Sequence, residues 1–256
     1  MPKVIACYKW VVDEADIKIN ADQSIDVSKA KWKISDYDKN AIEAAMRAAQ
    51  ATGGTAATLT FGAANAKPSL KDALSRGPEE VYWVNSDLAS GADGHVTAQA
   101  LAAAIGKIGD VALAICAEGA SDTYARQTAP RLGAVLDWPT VTSVSKLSVD
   151  GGTLTAERKL DDCMETVRVK LPAVVAVLPE INEAPLPGLK AVLAAAKKPV
   201  TEFTAVALGI TALAAKNKVT DVKAYVMARK NIVFTEGDAA QKVKELAASL
   251  RKEGVL

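Results

Sequence analysis

One histidine, His95, stands in 256 residues, which excludes a multi-histidine metal centre. Its place near a helix start, after Gly94, reads as surface rather than catalytic. Cysteines are few as well. Cys7, Cys116 and Cys163 are odd in number, far apart and without C-x-x-C spacing, which argues against zinc or a dithiol redox pair. No apolar run approaches the roughly 18 residues of a membrane span. The start, Met1-Pro2-Lys3-Val4-Ile5, goes straight into a strand without a long apolar signal core, and a cytoplasmic protein is expected. A net charge of +1 gives no bulk field for nucleic acid. No G-x-G-x-x-G follows the first strand, and no G-x-x-x-x-G-K-[ST] occurs. Aromatics make up only 5% of the chain, so the helices must pack through small faces.

What is present is a rhythm. Half of the residues are apolar and a quarter charged, which suits a folded chain with a sizeable core. Strands are expected at Lys3–Trp10, Thr55–Phe61, Glu80–Val84 and Val111–Cys116. Helices are expected at Asn40–Ala51, Ser69–Ser75, Gly94–Lys107 and through Val135. Ile17–Asn20 and Ser24–Val27 suggest a small hairpin. The alternation predicts an α/β, Rossmann-like, mostly parallel sheet with helices on both faces. Such sheets bind ligands beyond the carboxyl ends of strands, near the point where strand order reverses. The turns after Tyr8, Phe61 and Cys116 are therefore the candidates.

The third of these is the most telling. The apolar run Val111–Cys116 leads into the polar turn Gly119-Ala120-Ser121-Asp122-Thr123 and then a helix. Asp122 or Ser121 is a good N-cap. Free amides at a helix start can seat a phosphate, and an ordinary capped helix has the same pattern.

After Pro139, three strand-like runs (Val141–Val149, Thr153–Leu160, Met164–Leu171) predict an antiparallel extension, with a turn at Asp150-Gly151-Gly152. A buried strand is expected between Pro172 and Pro179, then a proline-bearing loop and a helix at Leu189–Lys197. Beyond Pro199 little forms a core until a possible strand at Ala224–Phe234. Ala239–Lys252 is amphipathic, with Val243, Leu246, Ala247 and Leu250 on one face. Residues 186–256 carry 12 Lys/Arg against 6 Asp/Glu, and the rest of the chain 19 against 24. Two parts are expected: residues 1–185 as an α/β domain with a phosphate or nucleotide seat, and 186–256 as a proline-bearing loop and a basic C-terminal arm that packs on something other than its own domain.

Several segments, in order, resemble the β subunit of electron-transfer flavoproteins, most closely its FixA-like branch. They are Cys7-Tyr8-Lys9, Asn40-Ala41-Ile42-Glu43-Ala44-Ala45, Leu74-Ser75-Arg76-Gly77-Pro78, Asp122-Thr123-Tyr124-Ala125-Arg126-Gln127 and Leu136-Asp137-Trp138-Pro139. Leu171-Pro172-Ala173-Val174-Val175, Leu186-Pro187-Gly188-Leu189-Lys190-Ala191 and Ala196-Lys197-Lys198-Pro199 complete the set. The resemblance implies a heterodimer with an electron-transfer flavoprotein α subunit. It implies a redox FAD held mainly by α, and in this subunit AMP or a second FAD. Electrons would pass from an acyl-CoA dehydrogenase-like or other flavin dehydrogenase to a quinone oxidoreductase or other acceptor. No catalytic residue, nucleic acid or membrane insertion is implied.

The resemblance places the nucleotide at Cys7, at Ser35, Asp36, Tyr37 and Asp38, at Phe61, and at Asp122, Thr123, Ala125, Arg126, Gln127, Thr128, Ala129 and Gly133. Arg126 and Ala129-Pro130 depart from the family's pattern and leave AMP against FAD open. Partner recognition falls on Leu186, Pro187 and Lys190; prolines beside an exposed leucine reduce the entropy lost on docking. The alternative is a stand-alone adenine-nucleotide-binding regulatory protein, which leaves the arm without a partner. An isolated transferase is disfavoured because no nucleophile–base pair is evident.

Overall fold

The computed structural model describes residues 2–225 and 229–256. In chain order the elements begin with β1 (Lys3–Cys7) and β2 (Trp10–Val12), the short pair β3 (Lys18–Ile19) and β4 (Ile25–Asp26), then β5 (Trp32–Ile34) and α1 (Asp36–Thr52). They continue with β6 (Thr55–Gly62), α2 (Lys67–Ser75), β7 (Glu80–Asn85), α3 (Gly94–Ile108), β8 (Val111–Ala117) and α4 (Thr128–Leu136). Next are β9 (Thr140–Asp150), β10 (Thr153–Lys159), β11 (Met164–Lys170) and β12 (Ala173–Val177). The last are α5 (Leu189–Ala195), β13 (Val200–Thr204) and α6 (Ala239–Lys252).

Nine strands form one sheet in the order β11-β10-β9-β12-β8-β1-β6-β7-β13. The seven from β9 to β13 run parallel, and β10 and β11 extend the sheet antiparallel. The expected α/β sheet with an antiparallel extension is what forms. Its central strands β1, β8 and β12 are buried on both faces, so period-2 alternation divides their side chains between two cores. In β1, Val4 and Ala6 join the core under α1 and α2, while Ile5 and Cys7 join the one under α3 and α4. In β8, Leu113 and Ile115 point to the first core, and Ala114 and Cys116 to the second. Fully burying a side chain such as Leu113 contributes about 1.5–3 kcal/mol. The alanines of α1 and α3 let those helices lie close on the sheet.

The chain starts in the middle. From β1 it steps through β6 to β7, then crosses back to place β8 on the other side of β1. Strand order therefore reverses between β1 and β8, where an α/β sheet opens a crevice.

Three expectations need correction. The first strand ends at Cys7, not Trp10, because the Lys9 amide turns to the Asp38 carboxylate and Trp10 begins a separate ribbon with β5. Residues from 186 onward are not all arm, because Val200–Thr204 pairs with β7 as the edge of the sheet and Ile210 is buried beyond it. Part of the possible strand at Ala224–Phe234, Val226–Ala228, lies outside the described residues, and the described remainder forms no strand. Helix α6 has the expected bounds, and none of its residues is buried.

Candidate functional site

At the switch point a cavity of about 330 Å³ opens over the carboxyl ends of β1, β6 and β8. Its size is at the small end of ligand pockets. Cys7, Phe61, Leu101 and Cys116 supply apolar lining, Asp38, Asp93 and Glu118 carboxylates, and Lys9 and Arg126 cations. The neighbouring thiols belong to adjacent strands, and burial together with the contact from Cys7 pushes the Cys116 thiol up.

Asp38 stands in the first turn of α1, and its buried carboxylate accepts the Lys9 amide at 2.8 Å. Removal from water pushes its pKa up to about 7, against the lowering effect of the Lys9 amide and charge. Ser35 sits at the N-cap position but makes no cap bond there. Its hydroxyl accepts the Ser121 amide at 3.1 Å and so fixes the loop after β8 against the start of α1.

That loop is not a helix start. Asp122 was expected to cap it, yet α4 begins at Thr128. Tyr124 and Arg126 have φ of 46° and 56°, left-handed values that interrupt a helix. Asp122 accepts its neighbour Thr123's amide and pairs with Lys9. Tyr124 donates its hydroxyl to Glu118 at 2.5 Å, packs its ring 5.1 Å from that of Tyr37, and lies under the Arg126 guanidinium. The Glu118 bond and partial burial push the Tyr124 phenol up. Among the described residues, the amides of Ala125, Arg126, Gln127, Thr128 and Ala129 donate no protein hydrogen bond. Without the expected cap, these unbonded amides belong to an irregular loop and the first turn of α4.

Of the expected nucleotide residues, Cys7, Asp38, Phe61, Thr123, Ala125, Arg126, Gln127 and Thr128 line the cavity. The others stand outside its lining. Asp36 faces outward and pairs with Lys33 and Lys39. Ala129 is buried in the α3/α4 core. Gly133 is needed for packing, because a Cβ there would collide with Thr140. The α3 wall was missed: Ala89, Ala92, Asp93, Gly94 and Thr97 also line the cavity. Its signal was an aspartate directly before a periodic helix, and Asp93 does cap α3.

Glu118 and Arg126 also border a second, open depression of about 700 Å³, lined further by Lys159, Asp161, Asp162 and Glu180. Leu186 is 90% exposed, and Leu189 and Leu193 on α5 are exposed as well. Pro187 is half-buried and Lys190 exposed. No helix among the described residues is long and apolar enough to cross a membrane.

Chemically, the cavity can hold an anionic group against free amides and a planar apolar group against Phe61 and Leu101. These features fit an adenine nucleotide. A family model described as the electron transfer flavoprotein domain matches residues 24–208.

Proposed function

This chain belongs to the electron transfer flavoprotein family, and from that premise we propose that it is the β subunit of a heterodimeric carrier, of the FixA-like branch. Members of this family are electron carriers rather than enzymes. The chain holds an adenine nucleotide, AMP or a second FAD, in the cavity at the switch point. It docks on an α subunit that holds most of the redox FAD. The observation that carries this reading is the cavity with its run of free amides from Ala125 to Thr128.

FAD supplies the redox chemistry when bound, and the protein supplies position and electrostatics. The amides and Arg126 orient the phosphate, and Asp38, a carboxyl that changes charge near neutral pH, meets the sugar or base. An adenylate fills the cavity alone. A dinucleotide continues past Glu118 and Arg126 toward the open depression. Leu186, Pro187 and Lys190 meet the flavin dehydrogenase that gives electrons, with an exposed leucine as the anchor. A quinone oxidoreductase or other acceptor takes them.

Purification of the chain with its α subunit tests the reading. A yellow complex with flavin absorbance that releases AMP or additional FAD on heating is expected. A colourless, nucleotide-free preparation would refute it.

A further inference from the structure

We propose that Asp93 latches the C-terminal arm to the rim of the cavity and thereby slows the escape of what the cavity holds. The inference rests on the nucleotide reading of that cavity. Two segments, the start of α3 and the arm, meet at this one carboxylate. Oδ1 accepts the amides of His95 and Val96, each at 3.0 Å, and so caps α3. Oδ2 accepts the amides of Lys216 and Asn217 at 2.7 and 3.2 Å, across more than 120 residues of sequence. Asp93 is itself part of the cavity lining.

The path of the arm explains why the latch falls here. After β13 the chain returns over the α3 side of the sheet. Ile210 is buried in the core that contains Leu101 and Ile105, and Leu213 packs on the same core. The strap then reaches the start of α3 and is tied at Lys216 and Asn217. Further on, it touches the body through the bridge between Ser24 and Lys223 and the Ala224 amide on Gln23.

The residue after the latch touches the anion loop. A Cβ on Gly94 would lie 2.6 Å from the Gln127 side-chain oxygen and 3.1 Å from Arg131. The start of α3 is thus seated against Gln127 of the loop that lines the cavity and Arg131 of α4. Loosening the strap frees the Asp93–Gly94 corner, and with it one wall of the cavity.

The test uses Asp93→Asn in the full-length chain loaded with AMP. The amide has one acceptor oxygen, which is expected to keep the cap and lose the strap. Hydrogen exchange at Lys216 and Asn217 should rise about tenfold or more, as for loss of hydrogen bonds to a charged group. AMP release should quicken while the melting temperature stays close to that of the original chain. Asn217→Pro removes a donor from the other side of the latch, leaves the cap intact, and should act in the same direction. Unchanged exchange at both amides in Asp93→Asn, and at Lys216 in Asn217→Pro, would overturn the latch. So would fast exchange with AMP released at the original rate. Failure of the original chain to bind AMP or FAD would overturn the nucleotide reading and the latch with it, whereas binding with unaltered release overturns the latch alone.

Discussion

Helices α3 and α6 are alike in length and capping and opposite in placement. Each is alanine-rich, of 15 and 14 residues, and each is capped by an aspartate, Asp93 or Asp238, accepting amides of the first turn. Seven residues of α3 are buried, and none of α6. Capping and amphipathic period make a helix; they do not supply the surface against which it packs. For α3 that surface is the sheet. On α6, Val243 and Leu246 stay exposed and no residue is buried among the described residues, which agrees with a companion subunit in the proposed heterodimer.

The contrast can be broken most forcefully by truncating one leucine on each helix. Leu101→Ala should destabilise the chain by about 2–5 kcal/mol, as for a large-to-small change in a packed core. Leu246→Ala should leave the melting of the isolated chain unchanged and weaken association with the partner. Equal losses in melting temperature would erase the distinction.

Titration should also separate body from arm. The folded state raises the Asp38 pKa from 3.8 to about 7, so it retains a proton that the unfolded chain has released. This favours folding below about pH 4, and the advantage is lost as pH rises to about 7, at up to about 1.4 kcal/mol per pH unit. Asp38→Asn should flatten that slope in urea melts between pH 4 and 7; a parallel slope in the variant would refute burial of the charge.

Smaller effects sharpen the picture. Asp238→Ala should cost α6 about 1 kcal/mol of helix stability, seen as faster amide exchange within α6 while the melting of the sheet is unmoved. Asp122→Ala should change overall stability by only about 0.2–1 kcal/mol, as for an exposed ion pair. A larger loss on melting would restore Asp122 as a structural cap.

Much of the body was legible because buried strands announce themselves. Val111–Ala117 and Ala173–Val177 are near-continuous apolar runs between turn residues. Strand β13 was not, because Val200-Thr201-Glu202-Phe203-Thr204 is a half-exposed edge whose apolar residues are too few to stand out. The loop after β8 was misread as a helix start because Tyr124 and Arg126 adopt left-handed backbone without any glycine to signal it. The cavity's floor was readable from the strand ends at Cys7, Phe61 and Cys116. Its α3 wall was not, since it is brought there by the return of the chain across the sheet.

The pairing of an internal nucleotide with an external partner is tested most directly by a native mass spectrum of this chain co-expressed with an electron-transfer flavoprotein α subunit. A one-to-one heterodimer carrying FAD and at least one further adenine nucleotide or FAD is expected. A free monomer without nucleotide, beside an unpaired α subunit, would contradict it.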